Sequence, residues 1–455
     1  MTRMNRRAFL AAAASSLASP ALAALPASGE TEVAVVGAGA AGIAAARKLA
    51  AAGRRFVLLE ASNRVGGRCV TDMQTFGVPY DRGAHWITNR DINPLAKLAG
   101  RTGLDLYSAP PGRKIRIARR YAREGEIESL LAASVRARRA IAEAVRGKAD
   151  VSCARALPQD LEDWRPTLEF MLGPYGAGAD LDEMSATDFA RMMERGEDFF
   201  CRQGFGALLA KLAQDVPVEL STPVSRIDTS RGVEIETPRG RLRARAAIVT
   251  ASIGVLASEA IRFTPDPGKR LMEGLSRLKL GTYERIGFAL SGNPLQLQRD
   301  DVVLEKADSN RTAGMIANVG GTALCFVDVG GRFGRELATQ GQAAMIDFGT
   351  EWLGKLYGAE IRNAITRSHA TQWSRDPLIR GALSFALVGG QAARRLLMEP
   401  IRDRVFFAGE AAHETMWGSV AGAWESGERA ADAALKAIAP APAPASGRQR
   451  QRQRR

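Results

Sequence analysis

Three glycines and one carboxylate are spaced to hold a phosphate-linked sugar. The stretch VAVVGAGAAGIAAARKLAAAGRRFVLLE, Val33 to Glu60, sets Gly37, Gly39 and Gly42 in a G-x-G-x-x-G pattern around Ala40 and Ala41, with Glu60 eighteen residues after Gly42. Gly37 permits a tight turn, Gly39 lets the backbone approach a pyrophosphate, and Gly42 lets a helix pack close to a strand. A carboxylate at this spacing reaches a ribose hydroxyl.

The elements that must position these residues are legible around them. Thr31 to Val36 is a β-branched apolar run and reads as a buried strand. Ile43 to Ala52 is an Ala-rich helix closed by Gly53, and Arg55 to Leu59 is a second strand. Strand, glycine turn, helix, strand and acid make a dinucleotide-binding unit whose helix N-terminus faces the phosphates.

The choice between NAD and FAD turns on the next residues. The run EASNRVGGRCVT, from Glu60 and Ala61 onward, resembles the signature of the flavin-containing amine oxidase family, in which the second strand's acid is followed by R-x-G-G-R. The resemblance implies that Arg64 and Arg68 bring charge to the pyrophosphate, while Gly66 and Gly67 allow the backbone close to it. Four further stretches match the same family, which includes monoamine and polyamine oxidases. Asp81-Arg82-Gly83-Ala84-His85-Trp86-Ile87 is similar to a segment that passes beside the flavin ring. GFGALL from Gly204, with VPVELSTPVSRID, is similar to the region that brings Val224 to the adenine end. AAIVTASIGVLASEAIRFTPDP resembles the return to the FAD domain, and DRVFFAGEAAHETMWGSVAGAWESGERAA the C-terminal flavin motif.

In that last motif Arg404 to Phe407 reads as a strand, Gly409 as its turn, and Glu410 as a carboxylate for a sugar or ribityl hydroxyl. Gly418, Ser419 and Val420 open a helix running to about Ala437, whose N-terminal dipole would stabilise reduced flavin. The resemblance also places Trp373 with the cofactor-binding residues.

Three departures from the family pattern bear on catalysis. Relatives carry a lysine near flavin N5, which helps reduced flavin meet oxygen; here Leu280-Gly281-Thr282-Tyr283-Glu284-Arg285 puts Arg285 there. Arginine keeps the charge as a planar fork that does not readily lose a proton. Monoamine oxidases flank the substrate with two tyrosines. The first cage position falls at Leu383, with Phe385 two residues on as a substitute, and the second falls near Trp417. An indole face can orient an amine. Relatives that bind FAD covalently do so through a cysteine where this chain has Ala382, so the FAD is expected to be non-covalent.

The expected architecture is α/β: a two-dinucleotide-binding, Rossmann-like FAD domain with a β-meander over Ile227 to Val249, and a mixed α+β substrate domain inserted in it. Residues 30–90, 200–280 and 392–438 form the first domain, and 91–199 and 281–391 the second. Ile127 to Arg146 and Leu161 to Leu172 are helical in the insertion.

The ends have their own readings. Residues 1–23 carry Arg6-Arg7-Ala8-Phe9-Leu10 and an Ala21-Leu22-Ala23 cleavage pattern, a twin-arginine signal that would export a folded flavoprotein to the periplasm. Residues 439–455 read as a disordered basic tail. The formal net charge of the 455 residues is +14; three arginines in the leader and five in the tail leave +6 on the body, which demands no specific nucleic-acid partner. No stretch is apolar enough to span a membrane. Cys69, Cys153, Cys201 and Cys325 form no CxxC pair and His85, His369 and His413 lie far apart, so no metal is expected and the thiols read as buried and inert.

The implied reaction is oxidation of a small-molecule amine to an imine by hydride transfer to flavin N5, with oxygen or another electron acceptor as partner and hydrogen peroxide as the product of oxygen. Three alternatives stand beside it. The protein is a dehydrogenase passing electrons to a carrier, an amino-acid oxidase using Arg375 or Arg380 for the substrate carboxylate, or an exported FAD-binding protein without catalysis.

Overall fold

The computed structural model describes residues 31–147, 149–192 and 197–439. The expected signal peptide lies outside the described residues, as does the basic tail from residue 440. The elements that build the site, in chain order, are β1 (Thr31–Val36), α1 (Ala40–Ala51), β2 (Phe56–Leu59), β3 (Arg113–Ile117), β4 (Arg120–Tyr121), α2 (Glu124–Ala144) and α3 (Arg165–Leu172). They continue with β5 (Arg226–Asp228), β6 (Val233–Thr237), β7 (Gly240–Val249), β8 (Arg262–Thr264) and β9 (Tyr283–Leu290). The last are β10 (Asp301–Glu305), β11 (Gly314–Ala317), β12 (Leu324–Gly330), β13 (Ile365–Ala370), β14 (Val405–Phe407) and α4 (Val420–Ile438).

The first large sheet has the order β8-β5-β6-β7-β1-β2, with β14 also on β7. The strand β7 does two jobs. Its first half pairs antiparallel with β6, and its second half, Ala244 to Val249, pairs parallel with β1. Here β1 is buried on both faces, as its unbroken Val33-Ala34-Val35-Val36 run requires of a parallel strand. By contrast β6 alternates Val233 and Ile235 inward with Glu234 and Glu236 outward, the signature of a half-buried meander. Helices α1 and α4 pack together on the parallel half. A Cβ on Gly427 of α4 would overlap the Ala41 carbonyl of α1, so their backbones touch.

The second large sheet has the order β13-β9-β12-β11-β10-β3-β4 and mixes parallel and antiparallel pairs. Its strands come from the chain on both sides of the meander. Helix α2 starts three residues before the expected Ile127. The expected helix from Leu161 is a 3-10 turn, Glu162–Trp164, followed by α3, because Pro166 suits only the first turn of a helix. A short antiparallel pair, Leu278–Leu280 with Ser384–Ala386, lies beside the first sheet's core. No described helix is long and apolar enough to cross a membrane.

Candidate active site

One cavity of about 840 Å³ joins the glycine turn to the helical insertion. At one end Gly37 holds φ +100°, and its carbonyl accepts from Thr250 Oγ1 at 3.1 Å. Gly39 faces open space, and Gly67 approaches its Cα so closely that a Cβ on Gly67 would stand 3.4 Å away. Two glycine turns and the N-terminus of α1, with no acid in its first turn, form a cradle shaped for a pyrophosphate. Ala40 and Ala41 line it. Gly42 does not. It sits under the turn, where a Cβ would overlap the Gly37 carbonyl, so its role is helix-to-strand packing rather than contact.

Glu60 lines the same wall with Ala61 and Val224. Its carboxylate is oriented by Ala38 N–H at 2.6 Å on one oxygen and by Ser62 N–H and Oγ–H at 2.8 and 2.7 Å on the other. Arg64 donates to the Gly67 carbonyl at 2.9 Å, and Arg68 to the Ala382 carbonyl and to Glu410 at 3.0 Å. Both arginines brace the turns they line.

Glu410 stands at the cavity wall with protein partners of its own. Its oxygens take Arg68, Ser384 N–H and Oγ–H, and Gly418 N–H. Burial raises its pKa, but Arg68 and those donors outweigh burial and hold the carboxyl below its usual range. It ties Arg68 to Ser384 and Gly418: Oε2 takes three donors, while Oε1 takes Arg68 alone and keeps an acceptor site. Ser419 caps α4 by accepting from Gly422 N–H at 3.0 Å, and Val420 faces the cavity beside it.

Along the middle run Gly83, Ala84, His85 and Trp86. Gly83 presses on the Arg68 carbonyl. His85 donates from Nδ1 to Asp81 at 2.7 Å and stacks on Phe200 at 4.4 Å. Trp373 donates from its indole to the Arg82 carbonyl at 3.0 Å and carries Arg64 at 6.0 Å over its ring.

Arg285 also lines the cavity, 2% exposed. Asp328 takes its Nε and Nη2 at 2.8 and 2.9 Å, while Nη1 donates to the carbonyls of Asp81 and Gly83. Burial works against its charge, yet Asp328 holds its pKa above the ordinary value.

The far end is built by residues from several separate stretches of the chain. Leu383 and Trp417 line it, and Phe385 does not. The expected compensation of Leu383 by Phe385 is therefore corrected. Phe385 sits on the short strand paired with Leu278–Leu280, and its ring is sealed in the helical core with Leu168 and Met184. One face of Trp417 carries the Arg394 guanidinium at 4.6 Å, and Arg394 pairs with buried Asp188. The sequence reading missed Tyr175, Tyr283, Met171, Phe189 and Met192, which complete this end. They carry no local motif; only Tyr283, inside the quoted LGTYER segment, stood next to a recognised position. Arg375 and Arg380, the carboxylate candidates, do not line the cavity, and Arg380 turns back to donate to the Pro377 carbonyl. All four cysteines are free and buried.

The family profile described as "Flavin containing amine oxidoreductase" matches residues 40–435. The chain is 30% identical over 440 residues to "Lysine-specific histone demethylase 1 homolog 2" of Oryza sativa subsp. japonica, covering 89% of this chain and 57% of that protein, so it spans little more than half of that relative. It is 27% identical over 441 residues to "Polyamine oxidase 4" of the same organism, covering 89% of each. Among solved structures it is similar in fold to cyclohexylamine oxidase from Brevibacterium oxydans IH-35A, with a TM-score of 0.76 and 20% identity over 90% of this chain and 99% of the other. A cradle for a pyrophosphate, a bracing pair of arginines, and a profile match over most of its length agree: this chain belongs to the flavin-containing amine oxidoreductase family, and its cofactor is FAD.

Proposed function

We propose that this protein oxidises a small-molecule amine to an imine, which water then converts to a carbonyl compound. The observation that carries the reading is a continuous cavity in which a dinucleotide cradle runs on into an end lined by aromatic and aliphatic side chains together with Arg113, Ser134 and Arg138. FAD, when bound, would supply a two-electron acceptor for the amine's α-hydrogen, received formally as hydride. The glycine turns and the α1 N-terminus would hold its pyrophosphate, Glu60 its ribose, and Val224 its adenine. With Ala382 beside the flavin position, the cofactor is held without a covalent bond. Tyr175, Tyr283, Leu383 and Trp417 surround the amine's carbon body and exclude water from the transfer. Trp417 keeps its orientation because Arg394 holds one face of the ring.

A second reading concerns the electron acceptor. In the first, oxygen takes the electrons and leaves as hydrogen peroxide. Four of the five N–H groups of Arg285 are committed to Asp328, Asp81 and Gly83, which leaves it poorly suited to hold a water beside the flavin. That favours an electron carrier over oxygen. Residues 1–23 support export of the folded protein to the periplasm by a twin-arginine route, where such carriers would be met.

The test is anaerobic mixing of the purified protein with primary amines, polyamines and amino acids while the visible flavin band is followed. Bleaching by an amine supports the reading, and admission of air then separates the two acceptors. Flavin that no amine bleaches overturns it.

A further inference from the structure

Five strands of the second sheet set a row of residues on one face. Direct register pairs run from Arg285 to Asp328, Gly314, Leu304 and Ile115, across β9, β12, β11, β10 and β3. Residues opposite each other share a face, and Arg113 shares it too, two residues before Ile115 on β3. Strands stand about 4.8 Å apart, so β3 lies roughly 19 Å from β9 across the sheet. Arg285 and Arg113 both line the cavity. The fork of Arg285 is spent on Asp328, Asp81 and Gly83. The guanidinium of Arg113 is exposed, and no hydrogen bond or ion pair joins it to any described residue.

Tyr175 stands between the two arginines. Its ring lies over Gly314, where a Cβ would overlap it, and beside Tyr283 at 6.2 Å. Its hydroxyl is buried without a hydrogen-bond partner among the described residues, within electrostatic reach of Arg113. Folded proteins seldom leave a buried hydroxyl unpaired. Ser134 and Arg138, one turn apart on α2, line the same end, and Arg138 is already engaged. The carboxylates that line the cavity serve elsewhere. Glu60 sits in the cradle, Glu410 pairs with Arg68, and Asp376 lies near Arg64. Asp198 accepts from Asn89 N–H at 3.3 Å, on the stretch that follows Trp86. Among the described residues, none of these acids answers the charge of Arg113.

We propose that Arg113 and the Tyr175 hydroxyl select an amine that carries a carboxylate at its other end, an ω-amino acid. This rests on the proposed amine oxidation, which sets the reacting carbon near the Gly83 stretch to which Arg285 is tied. The opposite end of an extended substrate then meets Arg113, whose planar fork takes both oxygens of a carboxylate. The Tyr175 O–H donates to the same group. One uncommitted guanidinium balances one negative charge, which favours a carboxylate over a doubly charged phosphate. A second ammonium at this end, as in a diamine, meets a like charge, and a plain alkyl end leaves both groups unsatisfied. Arg113 determines specificity and takes no part in the hydride transfer.

Arg113 is exposed at the start of β3, so Arg113→Met and Arg113→Lys are expected to fold as the parent does. Calorimetric titration of the oxidised holoprotein with octanoate, and with octanol as its uncharged counterpart, reads the site without amine chemistry. Octanoate should bind about tenfold more weakly to Arg113→Met than to the parent, the factor for one lost charge-assisted pair, with octanol little changed. Arg113→Lys should recover part of the loss, and Tyr175→Phe should weaken octanoate by a smaller factor. In turnover, the ratio of kcat/KM for ω-aminooctanoate over octylamine should fall about tenfold in Arg113→Met and return in Arg113→Lys. Equal octanoate affinity in parent and Arg113→Met overturns the site, as does a parent that oxidises octane-α,ω-diamine in preference to ω-aminooctanoate. Octanoate binding that depends on Arg113, with flavin that no amine bleaches, leaves the carboxylate site standing and the amine reading overturned.

Discussion

Arg285 and Asp328 face each other across neighbouring antiparallel strands as a direct register pair, and their side chains close a two-pronged ion pair at 2.8 and 2.9 Å inside the protein. Strand pairing alone brings them together, because opposite residues of an antiparallel ladder share a face. Tyr283, two residues before Arg285, adds its hydroxyl to Asp328 at 3.0 Å.

Arg285→Lys replaces the fork with a compact ammonium that cannot hold both Asp328 oxygens and both carbonyls. Reoxidation of reduced flavin by air is expected to accelerate at least tenfold, read by stopped-flow absorbance. Asp328→Ala leaves a buried cation without its partner and should destabilise the fold by about 3–5 kcal/mol. Denaturant unfolding of the two variants measures this, and equal stability of parent and Asp328→Ala would show that the pair contributes nothing.

Gly42→Ala places a methyl against the Gly37 carbonyl at the base of the cradle. The α1 N-terminus must then move away from the phosphates. Flavin content after purification should fall at least tenfold, with the apoprotein still folded by circular dichroism. Gly125→Ala, in the first turn of α2, has open space around it and no positive φ, and serves as the contrast for crowding.

Glu410 predicts acid sensitivity. Its native pKa is lowered from 4.5, so the charged form is favoured by folding. The stabilisation is complete above the unfolded value, and it disappears as pH falls through the lower native value. The melting temperature should therefore drop below about pH 4.5, more steeply in the parent than in Glu410→Gln, which has no such charge to lose. Parallel curves for the two proteins would contradict this.

Leu383 and Phe385 should separate cleanly. Phe385→Ala empties a core position and is expected to destabilise by about 3–5 kcal/mol while leaving the order of preference among amines intact. Leu383→Tyr changes a cavity wall beside Gly418 and should alter that order with a small effect on stability. Relative kcat/KM values over an amine panel, set against melting temperatures, decide the matter.

What the sequence by itself determined were features written in neighbouring residues. The run from β1 through Glu60 is legible because a parallel strand, a glycine turn and a helix each impose a short-range pattern. The meander was legible for the same reason, through the alternation of Val233 to Ile235. Even the register of α4 followed from Gly418 and Ser419. Tertiary structure decided where side chains ended up. Arg68 meets Glu410 across 342 residues and Arg285 meets the Asp81 carbonyl across 204, and no local period encodes such contacts. Leu383 and Phe385 differ by two residues, yet one lines the cavity and the other fills the core. Tyr175 and Tyr283 come together at 6.2 Å from separate parts of the insertion. The cradle is made by backbone, whose geometry a few glycines announce locally; the far end of the cavity is made by side chains from several elements, whose meeting depends on how the second sheet and its helices pack.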